Sequence, residues 1–177
     1  VTYRAAPSRV LLVNASELLR RPGAERTIDL QLTTAELGLA AQRFHPDDLV
    51  SVDLRLESLT DGIVVLGSID VPWHGNCRRC LRELSEHARS DVDELYQVVV
   101  TNPDAFEIVG DQLDLMPMVR ELALLDAPES PLCRADCGGL CPTCGINLDE
   151  ATCSCETPAQ SSPWDVLDRL KAQFDDN

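Results

Sequence analysis

Val50-Ser51-Val52-Asp53-Leu54-Arg55-Leu56 alternates strictly, with Val50, Val52, Leu54 and Leu56 on one side and Ser51, Asp53 and Arg55 on the other. A strand points successive side chains to opposite faces, so this pattern predicts one dry face and one wet face, the form an antiparallel sheet takes. Downstream, Thr60-Asp61-Gly62 supplies Asp-Gly turn chemistry and residues 63–73 run back as a second strand, making a hairpin. A third extended stretch, residues 88–100, alternates through Ser90, Val92, Glu94, Tyr96, Val98 and Val100. Cys77-Arg78-Arg79-Cys80 falls between the second and third strands, which puts a cysteine pair at the tip of a second hairpin. Upstream, Ile28, Leu30 and Leu32 mark a further strand, and Thr34-Ala35-Glu36-Leu37 opens a helical turn. Residues 10–13 read as a short strand entering a short helix that Asn14 caps.

After Gly110 the period changes. Leu115, Met118, Val119, Leu122 and Leu125 share one face of a helix that Asp114 caps and Pro117 opens, and that covers the sheet. Ala127-Pro128-Glu129-Ser130-Pro131 ends it. A linker over 156–163 leads to Ser162-Pro163-Trp164-Asp165, the start of a last helix with Pro163, Leu167, Leu170 and Phe174 on one side. That helix is too short to stand alone and must dock, with Trp164 as anchor and Asp175 and Asp176 as a solvated tail. The expected class is α+β: an antiparallel β-rich body, as a curved sheet or partial barrel with its covering helix, over 1–130. A Cys-rich, zinc-stapled segment over 131–156 and a linker with docking helix over 157–177 complete the chain.

The 177 residues are 44% hydrophobic with a formal net charge of −15, which argues against a disordered chain. No apolar run approaches the roughly 18 residues that a membrane span needs, so no membrane partner is expected. With no apolar signal core at the start, the expected location is the cytoplasm. Nucleic acid is bound chiefly by Lys and Arg neutralising phosphates, so so acidic a chain is a poor general binder of it. A basic protein is the expected partner.

Eight cysteines without signs of secretion point to metal or redox chemistry rather than disulfides. Cys141-Pro142-Thr143-Cys144-Gly145 has the shape of a metal knuckle, in which the proline presets the turn and the glycine adopts positive φ behind the second ligand. The partition that uses every thiol gives one tetrahedral site to Cys141, Cys144, Cys153 and Cys155, and another to Cys77, Cys80, Cys133 and Cys137. Zinc, as one or two structural ions, suits such closed sets of thiolates. Leu81 stands where a good knuckle carries glycine, which leaves open an unliganded Cys77–Cys80 pair or a thiol-based redox pair. A rubredoxin-like iron centre is a further alternative for the Cys141 knuckle, poorly matched by the closing Cys-x-Cys. His74 is either a substitute ligand or a turn residue facing solvent. Arg78, Arg79 and Arg82 form the one dense basic spot, read either as an RNA contact or as compensation for the negative charge of a thiolate site. No catalytic triad, phosphate-cradling glycine loop or metalloprotease motif is present, so no enzyme is expected.

The run Cys77-Arg78-Arg79-Cys80-Leu81-Arg82, the apolar helix, Pro131-Leu132-Cys133, then Asp136-Cys137-Gly138-Gly139-Leu140-Cys141-Pro142-Thr143-Cys144-Gly145, with Asn147-Leu148 and Cys153-Ser154-Cys155 behind, resembles the YceD family of large ribosomal RNA subunit accumulation proteins, found in bacteria and plastids. The likeness runs from about Ser51 to Leu170. It implies a non-enzymatic role in accumulation or maturation of 23S ribosomal RNA, through a ribosomal protein or processing factor or through pre-ribosomal RNA at Arg78, Arg79 and Arg82. The family's last helix commonly opens Asp-Pro-Arg, whereas this chain has Ser162-Pro163-Trp164. A zinc-ribbon nucleic-acid-binding module is the other reading, against which the charge counts.

Overall fold

The computed structural model describes residues 9–39 and 41–155. The expected linker and terminal helix, with Trp164, Asp175 and Asp176, lie outside the described residues.

The alternating stretch lies within β3 (Leu49–Ser58), where Val50, Val52, Leu54 and Leu56 are each buried to 1% exposure or less. Each such side chain contributes about 1.5–3 kcal/mol of apolar transfer, so this one row fixes which way the sheet faces. β3 pairs antiparallel with β2 (Glu25–Thr33) on one side and β4 (Ile63–Asn76) on the other, and β4 pairs with β5 (Glu83–Gln97). Among the described residues the sheet stays open, in the order β2-β3-β4-β5-β6 with β6 at Phe106–Glu107, and does not close into a barrel. Its last strand, β6 (Phe106–Glu107), runs parallel to β5, so the body is not wholly antiparallel as expected. The inner face is closed by α2 (Met116–Asp126), which packs on β4 and β5, and by α1 (Ser16–Leu19) against β3. A separate two-stranded ribbon joins β1 (Leu12–Asn14) to β7 (Gln112–Asp114).

Several local expectations are corrected. β5 begins at Glu83 and stops at Gln97, leaving Val98, Val99 and Val100 outside the sheet and exposed. The buried Gln97 side chain causes the stop: its Oε1 accepts the N–H groups of Thr101 at 3.0 Å and Asn102 at 3.1 Å, folding the chain away from the ladder. In α2, Leu125 is 71% exposed and Ala123 takes the inward position, because the small side chain lets the helix approach the sheet while the Asp126 carboxylate accepts from the Ser90 hydroxyl. Residues 9–11 form a 3-10 turn rather than the start of a strand. Asn14 and Asp114 both act as caps one residue outside the N-cap position, their side-chain oxygens accepting the N–H of Ser16 at 2.9 Å and Met116 at 3.0 Å.

Glycine matters most at Gly67, where β4 crosses β3 with φ +146 and a Cβ would lie 2.1 Å from the Asp53 carbonyl oxygen. Gly67→Ala is expected to cost about 2–4 kcal/mol in chemical denaturation, because backbone must move to admit the methyl. Gly23→Ala, at φ +81 with nothing within 4 Å, is expected to cost only the left-handed penalty of about 1–2 kcal/mol.

Candidate metal centre

The β4–β5 turn that carries Cys77 and Cys80 has a defined backbone. The Cys77 N–H donates to Arg82 O at 2.8 Å and the Leu81 N–H to Cys77 O at 2.9 Å. At the second knuckle the Cys141 N–H donates to Ile146 O at 2.8 Å and the Gly145 N–H to Cys141 O at 2.9 Å. These are the same two bonds at the same offsets. Both turns close on a left-handed residue, Gly145 at φ 73 and Leu81 at φ 60. Leu81 therefore adopts the glycine conformation despite its side chain, which it extends into solvent at 61% exposure. Its presence is no argument against a knuckle at Cys77.

The expected partition of thiols is the one the fold makes. Cys77, Cys80, Cys133 and Cys137 form one group and Cys141, Cys144, Cys153 and Cys155 another, with the sulfurs of each within 4.8 Å of one another. In the first group Cys77 and Cys137, 60 residues apart in sequence, bring their sulfurs to 3.8 Å, and Cys80 and Cys133 to 3.6 Å. In the second, Cys144–Cys153 is 3.5 Å and Cys141–Cys153 is 3.2 Å. Four sulfurs held at about 2.3 Å from one zinc ion stand about 3.8 Å apart along each edge of the tetrahedron. A disulfide needs about 2.05 Å, and all eight cysteines are free. The spacing fits a shared tetrahedral ion.

Electrostatics give the same reading. Backbone N–H groups from its own turn and from the Cys133 segment hold the Cys77 thiol down to about 5, and those of Cys144 and Thr143 hold Cys141 down to about 6. Burial and the neighbouring thiols push Cys137 up to about 12, and the Cys153 and Cys144 thiols push Cys155 up to about 12. Each group thus has an acidified thiol at its first position and a member that resists ionisation beside other sulfurs. A divalent cation, if bound, would supply the missing charge.

The first group ties the hairpin tip to a distant segment. Arg78 N–H donates to Pro131 O at 2.9 Å, Leu140 N–H to Arg79 O at 3.1 Å, and the Arg79 guanidinium to Cys137 O at 2.9 Å. Gly139, at φ +77, lies so close to this strand of contacts that a Cβ would sit 3.2 Å from Arg79 O. Arg82 pairs with Glu150 at 3.3 Å. Two of the three arginines in the basic spot are thus spent on holding the Cys-rich segment. Arg134 and Asp149, which no motif singled out, close the far side. The Asp149 carboxylate accepts the Gly138 N–H at 3.0 Å and pairs with Arg134 at 2.5 Å, contacts that hold its carboxyl below the usual range. His74 is neither a turn residue nor a ligand of a cysteine group. It lies in β4, half-buried, with Nε2 2.9 Å from the Asp48 carboxylate and its ring stacked 3.8 Å from His45.

Zinc, if supplied, would be held in the two cysteine groups, as closed sets that leave no position for a substrate. Loading is expected to reach two equivalents per chain by native mass spectrometry, and to release at least one proton per site at pH 7, since Cys137 and Cys155 enter as thiols. Protons compete for the same sulfurs, so apparent affinity should fall as pH falls. Cys137→Ser should lower the stoichiometry to one while Cys144→Ser does the same at the other group. Leu81→Gly should stabilise the loaded protein by up to about 1 kcal/mol, read from the denaturation midpoint.

No solved structure matches the chain. Among curated proteins, uncharacterized proteins of Mycobacterium tuberculosis and Mycobacterium bovis are 32% identical over 146 residues, covering 78% of this chain and 70% of the relative. One of Mycobacterium leprae is 31% identical over 148 residues, covering 78% and 67%. Residues 65–171, which include all eight cysteines, match the family described as large ribosomal RNA subunit accumulation protein YceD. By that match, in a chain whose thiols gather into two groups of four, the protein belongs to the YceD family.

Proposed function

We propose that this protein is a non-enzymatic factor for the accumulation and maturation of large-subunit ribosomal RNA, acting in the bacterial cytoplasm by holding a basic protein of the assembling particle. Family membership supports the ribosomal setting. The observation that carries the non-enzymatic part is the closure of both cysteine groups. Every thiol has sulfur neighbours at ion-sharing distance, and the acidified Cys77 is fully buried. A redox or nucleophilic thiol needs a lowered pKa together with access; Cys77 has the first without the second.

The charge supports a protein partner over general RNA binding. At −15 the chain repels phosphate, and Arg79 and Arg82 already contact the Cys-rich segment. Arg78 is exposed, and it is the arginine of the spot whose guanidinium has neither a hydrogen-bond nor an ion-pair partner among the described residues.

Depletion of the protein in its bacterium is expected to lower 23S relative to 16S ribosomal RNA. Rescue should survive Arg78→Ala and fail with Cys80→Ser, which opens the group that holds the hairpin tip. Alkylation of zinc-loaded protein at neutral pH should leave Cys77 and Cys80 unlabelled until a chelator is added; rapid labelling without chelator, or tight salt-sensitive binding of pre-ribosomal RNA by the isolated protein, would overturn the reading.

A further inference from the structure

β2 is the outermost strand of the five-stranded sheet, and among the described residues it pairs only with β3. The direction of its backbone groups follows from its two ends. Ser58 of β3 donates its N–H to Ala24 O at 2.9 Å and accepts the Gly23 N–H at 2.8 Å, and Thr34 donates to Asp48 O at 3.0 Å. Even-numbered positions between them therefore address β3, and alternation turns the N–H and C=O of Glu25, Thr27, Asp29 and Gln31 outward. Thr33 obeys the same parity: its N–H is taken by the Glu36 carboxylate at 2.8 Å and its C=O by the Leu37 N–H at 3.1 Å, neither in β3. The outward row spans about 20 Å, at about 3.4 Å per residue.

Natural edge strands are blunted by charged side chains, lysine above all, by proline, by bulges or by brevity, and the charges of β2 are Glu25, Arg26 and Asp29. β2 has nine residues, with neither lysine nor proline among them. Its side chains on the open face are Glu25, Thr27, Asp29, Gln31 and Thr33, and of the two carboxylates Asp29 has no ion-pair partner among the described residues. Asp29 stands directly opposite Asp53, an arrangement that costs stability. The nearby Arg55 is engaged with Glu25 at 3.6 Å and Glu57 at 3.7 Å, and among the described residues neither Asp29 nor Asp53 has an ion-pair partner. On the core side, Ile28 and Leu30 remain half-buried at the rim, offering apolar contact to a further strand.

We propose that an extended, Lys- or Arg-bearing segment of a partner protein adds as a strand to the outer edge of β2, with cations over Asp29 and Asp53 and small apolar residues beside Ile28 and Leu30. Backbone bonds supply affinity in such strand addition and the alternating side chains supply specificity. A second copy of this chain is the poorer occupant, because β2 against β2 would bring further carboxylates to the Asp29–Asp53 pair on a chain already at −15. The proposal rests on the assembly-factor reading only for where the partner comes from; the contact itself is a property of the edge.

The test uses zinc-loaded full chain and a nine-residue peptide alternating lysine and valine, with a glutamate–valine peptide and a proline-interrupted lysine–valine peptide as controls. The lysine–valine peptide is expected to bind with micromolar Kd, weakening as salt rises, and to slow amide exchange at Thr27, Asp29 and Gln31. The proline-interrupted peptide should bind at least ten-fold more weakly and the glutamate peptide not measurably. Thr27→Pro removes one outward N–H without touching the β3 ladder, so it should cut affinity about ten-fold at unchanged thermal midpoint. Should that variant fail to fold, Asp29→Lys serves, with the same expected loss. Equal binding of the proline-interrupted peptide, unchanged affinity in Asp29→Lys, amides already protected in the free monomer, or a dimer dissolved by Thr27→Pro would each overturn the proposal. A failure here leaves the 23S depletion result standing, and failure of that result leaves strand addition standing.

Discussion

Four sulfurs at the end of the β4–β5 hairpin join parts of the chain that the sheet alone would leave apart. Cys77 and Cys80 belong to a turn between paired strands, while Cys133 and Cys137 come only after β6, β7 and α2 in the chain. Closing a loop of that length costs conformational entropy that grows slowly with length, and the residues around the cluster make few apolar contacts to offset it. The offset comes from the thiol group and the bonds framing it: Arg78 to Pro131, Leu140 to Arg79, and the Arg79 guanidinium to Cys137. Everything from Pro131 to Cys155 takes its place from this junction. The second group, contained within residues 141–155, folds on a frame that the first has set.

Charge is managed on two scales. Around the first cluster, Arg79, Arg82 and Arg134 face a set of thiols that becomes doubly negative once four thiolates hold a divalent ion. Their own partners include the carbonyl of Cys137 and the carboxylates of Glu150 and Asp149, so the arginines order the segment as well as balance it. On the surface, among the described residues, acidic groups stand on the open face of the sheet at Asp29 and Asp53.

The sheet was legible because strand alternation is a local signal with a period of two. Val50 to Leu56, the Asp-Gly turn and the return strand needed nothing from elsewhere in the chain. The helix was legible as a helix, yet its facing was misread at Leu125. Periodicity identifies an apolar stripe, whereas the close approach at Ala123 and the contact of Ser90 with Asp126 decide which edge of that stripe is driven inward. The ends of β5 were misplaced for a similar reason: Val98 and Val100 continue the pattern, but the Gln97 side chain captures the next backbone N–H groups and turns the chain.

By itself the sequence determined the antiparallel hairpins and the position of a cysteine pair at one hairpin tip, because alternation and turn chemistry are local signals, and it offered two sets of four thiols only as the partition that leaves none over. Tertiary structure alone decided that Leu81 takes a left-handed conformation, that β1 pairs with β7, that Arg134 and Asp149 brace the cluster, and that His74 meets Asp48 and His45. Those outcomes depend on residues brought together from far apart in the chain or on backbone angles set by hydrogen bonds, and neither leaves a local pattern in the order of amino acids.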